Sequence, residues 1–166
     1  MEKKQDSFYI FVEISKGSSQ KFEFDEELKM IKLDRVLYAP FFFPFEYGYI
    51  LNTMGEDGDP LDVLLFSSYP TFPGCVVKAR AIGLILMEDE SGIDNKVIAV
   101  PDDKIDPRFK EIRDIDNLPS HTKEEIKFFF ENYKRLEKEK WVKFKGFQNG
   151  LAAQDLIKKS FTKQSK

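Results

Sequence analysis

The sequence predicts an α+β domain in which a small closed or nearly closed β-barrel is followed by one long and one short helix near the C-terminus. Short apolar runs separated by turns fill the first two thirds of the chain, and the apolar spacing changes to that of a helix in the last third. No repeat or interdomain linker interrupts the sequence. A length of 166 residues therefore indicates a single domain over residues 1–166.

The strands are predicted from apolar runs and from alternation. The first run, Phe8 to Ile14, is interrupted only by Glu13, an acid that needs a partner beside a buried strand. The segment Lys21 to Phe24 alternates strictly, so Phe22 and Phe24 are expected to face inward. Four further strands are expected at Met30 to Leu37, Val63 to Phe66, Cys75 to Met87 and Lys96 to Val100.

Prolines and glycines refine this plan. The aromatic stretch Phe41 to Tyr49 contains Pro44 and follows Pro40, so it is predicted to be a packed loop beside an acidic turn. Gly83 lies inside the long apolar segment Cys75 to Met87 and predicts a bulge or a sharp bend there.

The C-terminal third carries helical signals. Thr122 and Glu125 resemble a capping box, and apolar residues then recur at helical spacing, which predicts a long amphipathic helix. The residues of this stripe are Ile126, Phe129, Phe130, Tyr133, Leu136 and Trp141. A second, shorter helix is expected over Leu151 to Lys159.

Composition excludes several classes of function. A net charge of −3 gives no positive field for nucleic acid or for an anionic membrane. A single cysteine, Cys75, and a single histidine, His121, exclude a disulfide, a Cys- or His-based zinc site and a His-based catalytic triad. Cys75 is expected to be a small core residue. Met1 to Asp6 carries no apolar signal segment, which predicts a cytoplasmic location without membrane association.

The most informative segment is the acidic motif Asp-Gly-Asp-Pro-Leu-Asp-Val at residues 57–63. Its three carboxylates repel one another unless a cation lies among them, and Gly58 allows a turn tight enough to bring them together. Carboxylate oxygens are hard ligands that suit magnesium, manganese or calcium better than zinc. The motif therefore predicts a divalent metal site.

Two familiar acidic loops share part of this motif. A calcium EF-hand is excluded because its fifth, sixth and twelfth positions would be Leu61, Asp62 and Ser68. A phosphatase with an aspartyl nucleophile also has two acids separated by one residue, but after a strand. Here a polar loop, Asn52 to Glu56, precedes the motif, so that alternative fits less well.

More charged residues surround the motif in the predicted barrel. Eight acids and four cations are candidates for one cavity of net charge −4, which requires several divalent ions and an anionic ligand. The acids are Glu13, Glu23, Asp57, Asp59, Asp62, Asp89, Glu90 and Asp94, and the cations are Lys21, Arg35, Lys96 and Lys134. Together they predict a site for metal and phosphate.

These residues resemble the soluble inorganic pyrophosphatases, the metal-dependent class with a small barrel, in their compact prokaryotic form. The family motif is matched at every position of residues 57–63. The resemblance continues through Arg35, Pro44 to Tyr49, Asp89 to Lys96, Ala99 to Pro101, Tyr133 to Lys134 and Trp141 to Val142. It implies a five-stranded, OB-like barrel.

The resemblance also implies an activity: hydrolysis of pyrophosphate to two orthophosphates by a metal-activated water. Asp59 is expected to be the general base, Tyr47 to assist catalysis, and several Mg²⁺ ions, or Mn²⁺ in their place, to be the cofactors. The implied metal ligands are Asp57, Asp62, Asp89, Asp94, Glu13 and Glu23. Glu90 is expected to support these ligands without binding the metal directly. The implied phosphate-binding residues are Lys21, Arg35, Tyr47, Lys96, Tyr133 and Lys134.

The chain departs from the family at Phe43, where Tyr is common before the proline, so one phenolic hydroxyl is missing. Two other functions stay open: a metal-dependent phosphohydrolase of broader specificity, and a noncatalytic barrel that binds a ligand through its aromatic residues. The resemblance further implies a homohexamer and pyrophosphate as the substrate. No nucleic-acid or membrane partner is expected, because the net charge is negative.

Overall fold

A computed structural model describes residues 6–162 of the chain. The strands are β1 (Ser7–Ile14), β2 (Gln20–Asp25), β3 (Met30–Val36), β4 (Glu46–Ile50), β5 (Asp62–Leu65), β6 (Val76–Asp89), β7 (Gly92–Ile93), β8 (Lys96–Pro101) and β9 (Val142–Asn149). The helices are α1 (Ser120–Asn132) and α2 (Gly150–Ser160), and two single-turn 3-10 helices lie at Pro107–Phe109 and Ile115–Asn117.

Five strands close into a barrel. They follow the order β1, β4, β5, β8 and β6, and β6 pairs back onto β1. All of these pairs are antiparallel except β5 with β8, which run parallel. Strands β7 and β9 extend β6 outside the ring. The predicted closed five-stranded barrel with two helices is therefore confirmed.

The helices cover two different apolar clusters. Because successive strand residues face opposite sides, Leu64 joins the cluster that includes Phe130 of α1, whereas its neighbours Val63 and Leu65 join the cluster that includes Ile157 of α2. The bulge expected at Gly83 is also present, since the β6–β8 register shifts next to it. The core thus fixes the strands that carry the charged residues.

Strands β2 and β3 form a separate two-stranded sheet. Phe22 and Phe24 were expected to face inward, but both are only half-buried. Phe24 makes an edge contact with Phe11 of β1, with ring centroids 5.6 Å apart. The hairpin therefore lies against the outside of the barrel, and Met30, Leu33 and Val36 of β3 stay exposed.

The aromatic stretch Phe41 to Tyr49 is not entirely the loop that its prolines predicted. From Glu46 onward it becomes β4, which pairs with both β1 and β5. Pro44 precedes the strand and removes no ladder hydrogen bond. Gly48 permits the close pairing, because a Cβ there would lie 1.9 Å from the carbonyl oxygen of Phe11.

The long helix is shorter than its apolar spacing predicted. Helix α1 ends at Asn132, a series of turns follows, and residues 142–149 form strand β9. Leu136 and Trp141, which were expected on the apolar stripe, are exposed. The capping box is also wrong, because the N-cap is Pro119 and no side chain caps the helix. The second helix, predicted over residues 151–159, is confirmed.

Two smaller expectations have mixed outcomes. Cys75 is half-buried at the margin of the α2 cluster rather than a fully buried core residue. Among residues 6–162, none of the helices is long and apolar enough to cross a membrane. Of the N-terminal segment examined for a signal, residues 1–5 lie outside the described part of the chain.

Candidate active site

Lys96 is the centre of a buried charge cluster at one end of the barrel. Strands β5 and β8 pair in parallel, with Val63 opposite Val97, so their first residues, Asp62 and Lys96, lie side by side. The Lys96 ammonium is 3.0 Å from Oδ2 of Asp62 and 3.0 Å from Oδ1 of Asp94, and its side chain is only 4% exposed. One ammonium therefore bridges a carboxylate at the start of β5 and a carboxylate just before β8.

Negative charge remains in excess around this bridge. Burial opposes the charge on Lys96, yet the carboxylates of Asp62 and Asp94 outweigh it and raise the pKa of Lys96 well above its ordinary value. Burial raises the pKa of Asp94, and the charges of Asp62 and Asp89 add to this although Lys96 opposes it. One lysine therefore does not fully neutralise the carboxylates of this cluster.

Two tyrosines border the cluster. The Tyr47 ring on β4 lies 5.3 Å from Lys96 Nζ. Burial around the phenol, reinforced by the charge of Asp62, raises the pKa of Tyr47 well above its usual value, so the hydroxyl keeps its proton. Tyr133 follows α1, is buried, and stacks on Phe129 with centroids 5.0 Å apart. The Tyr47 phenol is thus available as a hydrogen-bond donor.

A second acidic group follows the end of β6. The Lys134 ammonium lies 3.2 Å from Asp89 and 3.4 Å from Glu90, and Lys140 lies 3.0 Å from the other oxygen of Glu90. The Trp141 N–H donates to Glu90 at 3.3 Å. Burial opposes ionisation of Glu90, but backbone hydrogen bonds and these lysines together lower its pKa to about 2. Glu90 is therefore an anchor for two lysines.

The β2–β3 hairpin adds a third group. Lys21 lies opposite Arg35 in the ladder. A register shift follows, and it leaves Asp34 as an extra, unpaired residue of β3 next to Arg35. Arg35 Nη1 is 2.5 Å from Asp34 Oδ2, and Lys21 is 3.6 Å from the same oxygen. Lys21 also forms an ion pair with Glu23. The bulge therefore gathers two cations and two acids on one edge.

Glu13 connects the hairpin to the barrel. The β1–β4 register shifts at this residue, and the Phe24 N–H donates to Glu13 Oε1 at 2.8 Å. Burial raises the pKa of Glu13 to about 7, and the charges of Asp62 and Glu23 contribute in the same direction. The partner of this acid is thus one backbone amide, and the charge of Lys21 compensates only part of the surrounding negative charge.

Asp57 and Asp59 lie in an exposed turn before β5. Gly58 has φ +86°, and the Gly55 N–H donates to the Asp59 carbonyl at 2.7 Å, which closes the turn. The Asp59 N–H donates to Asp57 Oδ1 at 3.0 Å. Across residues 6–162, neither carboxylate takes part in an ion pair. The turn presents both acids to solvent.

The structure therefore connects most of the predicted site residues and leaves two of them apart. Direct contacts or close charge interactions link Glu13, Glu23, Asp62, Asp89, Glu90, Asp94, Lys21, Arg35, Lys96, Lys134, Tyr47 and Tyr133. For Asp57 and Asp59, the hydrogen bonds found across residues 6–162 stay inside their own turn. Within the described residues, no three Asp, Glu, His or Cys side chains form a ready-made metal-coordinating group.

Sequence reasoning missed three charged residues of this region. Asp34 contacts Lys21 and Arg35, Glu137 contacts Arg35, and Lys140 contacts Glu90. Glu137 and Lys140 lay inside the predicted long helix, where charged residues outside the apolar stripe are expected to face solvent. Asp34 stood next to Arg35 in the sequence, which was the one signal available.

Comparison with known proteins covers nearly the whole chain. A family model described as inorganic pyrophosphatase matches residues 10–165. The chain belongs to the inorganic pyrophosphatase family. An inorganic pyrophosphatase of Saccharolobus solfataricus is 48% identical over 98% of this chain and 95% of its own length. Another, from Helicobacter pylori, is 50% identical over 93% of this chain and 90% of its own length.

Solved pyrophosphatase structures share the fold. The inorganic pyrophosphatase of Helicobacter pylori aligns with a TM-score of 0.91 and 47% identity over 97% of each chain. That of Thermus thermophilus aligns with a TM-score of 0.91 and 45% identity over 97% of this chain and 92% of its own. Membership of the pyrophosphatase family is therefore supported by both sequence and architecture.

Proposed function

We propose that the chain hydrolyses inorganic pyrophosphate to two orthophosphates at the end of the barrel around Lys96. The observation that carries this proposal is the bridge from the buried Lys96 to Asp62 and Asp94, bordered by Tyr47 and Tyr133, in a chain of this family. Pyrophosphate is a compact polyanion, so its site needs cationic donors beside acids that hold metal ions. This arrangement offers both.

The carboxylates fit magnesium, with manganese as the substitute ion. All of them are hard oxygen donors, and the raised pKa values of Glu13 and Asp94 reflect burial together with excess negative charge that a divalent cation would relieve. Bound ions would supply Lewis-acid activation of water and neutralisation of phosphate charge. The proposed ligands are Asp57, Asp62, Asp89 and Asp94, with Glu13 and Glu23 acting through water.

The cationic side chains and the phenols are assigned to the substrate. Their charged groups contact carboxylates, and substrate binding would exchange these partners for phosphate oxygens. The guanidinium offers two parallel donors, and each lysine offers a point charge. The proposed substrate-binding residues are Lys21, Arg35, Tyr47, Lys96, Tyr133 and Lys134. Glu90 holds Lys134 in place.

Asp59 is assigned as the general base. Its carboxylate is exposed, and it forms no ion pair within residues 6–162, so both oxygens are accessible to an attacking water. A carboxylate that lysine already engaged would have to break that contact before it accepted a proton. Tyr47, whose hydroxyl stays protonated, is assigned to donate a hydrogen bond to charge that develops on the phosphate.

The test is phosphate release from pyrophosphate with magnesium and with EDTA. We expect rapid release that EDTA abolishes. A folded protein that releases no phosphate with magnesium or manganese would contradict the proposal and favour a noncatalytic barrel. Comparable release from ATP or tripolyphosphate under manganese would show the broader phosphohydrolase instead.

We further propose that residues 1–166 act as one domain in a cytoplasmic homohexamer, with pyrophosphate as partner and no nucleic acid or membrane. A net charge of −3 supports the last point. Several large apolar side chains are exposed and available for contacts between copies. They include Tyr38, Phe42, Tyr69, Phe72 and Phe128. Light scattering at micromolar concentration tests the hexamer, and a monomer mass alone would contradict it.

A further inference from the structure

We propose that Glu137 is a positioning residue for Arg35. It holds one edge of the guanidinium, so that the edge at Nη1 faces pyrophosphate, and Asp34 is the partner that the substrate displaces. The inference rests on the proposed function, because it concerns how the same site grips its substrate. The residues come from two parts of the chain that are far apart in sequence.

Arg35 and Glu137 meet through two pairs of atoms. Arg35 Nη2 donates to Glu137 Oε2 at 3.2 Å, and Nε lies 3.0 Å from Oε1. The Nε pair is an electrostatic contact rather than a hydrogen bond, because the N–H is not aligned with the oxygen. Two neighbouring guanidinium nitrogens therefore face two carboxylate oxygens, which restricts rotation of the planar group.

The two partners of Arg35 differ in burial. The Glu137 side chain is 8% exposed, whereas that of Asp34 is 33% exposed. A buried carboxylate that loses a charged partner is costly, because nothing replaces the lost interaction, whereas solvent or another anion can compensate at an exposed one. Asp34 is consequently the exchangeable partner, and it contacts Nη1, the nitrogen that Glu137 leaves uncovered.

The location of Glu137 links this pair to other proposed substrate residues. It lies in the turns after α1, where its N–H donates to the Lys134 carbonyl at 3.1 Å. Tyr133 and Lys134 belong to the same turns. Glu137 thereby couples the β2–β3 hairpin, which is only partly buried, to a segment that the α1 cluster holds firmly.

The competing explanation is that Glu137 only stabilises the fold. A matched control exists in Asp103, which forms ion pairs with Arg80 at 3.3 Å and with Arg113 at 2.7 Å. In this pair the arginine is the buried partner, with Arg80 3% exposed and Asp103 34% exposed, so the control removes a carboxylate from a buried arginine. Asp103 follows the opposite end of β8 from Lys96, so loss of its charge perturbs the structure away from the site.

The experiment compares Glu137→Gln, Asp34→Asn and Asp103→Asn by steady-state kinetics with pyrophosphate and magnesium. We expect Glu137→Gln to raise KM about tenfold with kcat changed less than about threefold, since one charged contact to Arg35 is lost. Asp34→Asn should lower KM, because it removes the competitor of the substrate. Asp103→Asn should lower the Tm and leave KM within about twofold of the unmodified chain.

Rescue and direct binding complete the test. Glu137→Asp keeps the charge but not the reach, so its KM should fall between those of the unmodified chain and Glu137→Gln. Calorimetry with methylenediphosphonate and magnesium should show the same order in Kd without requiring turnover. An unchanged KM and Kd in Glu137→Gln would overturn the inference. Failure of the unmodified chain to release phosphate would contradict the proposed function instead.

Discussion

The two acidic turns of the site have similar composition but different environments. Asp57 and Asp59 lie in a solvent-exposed turn and take part in no ion pair within residues 6–162. Asp89 and Asp94 are partly buried, and the buried lysines Lys134 and Lys96 hold them. Similar side chains thus lie in two different electrostatic environments.

The difference shows two ways in which acids that lie close together are accommodated in the fold. Where burial would make repulsion between the carboxylates costly, a lysine supplies positive charge and keeps the acids together. Where solvent screens the charges, the acids need no partner and keep their oxygens accessible. The buried half of these acids is therefore held by lysines, and the exposed half is accessible to solvent. Four substitutions test this division.

The largest expected effect comes from Asp59→Asn in the exposed turn. If this acid is the base, kcat should fall about a thousandfold, whereas stability should change by less than about 0.5 kcal/mol because the side chain is exposed. Steady-state kinetics and urea unfolding measure the two quantities. Glu56→Gln, in the same loop, is the matched control and should change neither. A kcat within tenfold of the original would contradict the base assignment.

Lys96→Met should show the opposite pattern in the buried half. Removing the ammonium leaves Asp62 and Asp94 facing each other, which should cost roughly 3 kcal/mol of stability in EDTA. Magnesium should restore much of this loss, since a cation again lies among the carboxylates. Thermal unfolding with and without magnesium measures the effect. Lys104→Met, at an exposed position, should change little, and equal losses in the two variants would refute the explanation.

Glu13→Gln tests the uncompensated charge by its dependence on pH. Folding raises the pKa of Glu13 from 4.5 to about 7. The contribution of this one group to stability is therefore greatest below about pH 4.5, and it falls as the pH rises toward 7. Gln still accepts the Phe24 N–H but carries no charge. In EDTA the variant should therefore gain about 1 to 2 kcal/mol relative to the original chain at pH 8, and nothing at pH 4. Urea unfolding at both pH values measures this, and a difference independent of pH would reject it.

Phe43→Tyr should have the smallest effect. The ring is buried against Tyr47, Phe129 and Tyr133, with centroids 5.7, 4.9 and 6.3 Å away. The added hydroxyl restores a group common in the family, yet this packing is already complete without it. We expect kcat/KM within about threefold and stability within about 1 kcal/mol of the original. A tenfold gain in kcat/KM would show that the missing hydroxyl limits the reaction.

Sequence patterns predicted most of the barrel because its strands are continuous apolar runs. They failed at β4, where Pro44 suggested a loop, because a proline just before a strand disturbs no ladder hydrogen bond. They also failed at β9, where Trp141 continued the spacing of α1 by coincidence. A one-dimensional period does not reveal that the chain turns away after Asn132.

The acids and cations of the site were found through the family motif, and their partners were not. The bridge from Lys96 to Asp62 depends on the parallel pairing of β5 and β8, which no local pattern specifies. The contact between Arg35 and Glu137 spans 102 residues. Such contacts depend on topology, so a charged residue on an apparently solvated helix face gives no sign of them.

The parallel pairing of β5 with β8 also affects the order of folding. The two strands are joined through β6 and β7, so this pair closes a long loop, and Asp62 meets Lys96 and Asp94 only after that loop has formed. Tyr133 and Lys134 emerge later still during synthesis. A nascent chain that ends before these residues has no complete site, and magnesium would bind mainly to the finished structure. The ion should consequently slow unfolding much more than it speeds folding.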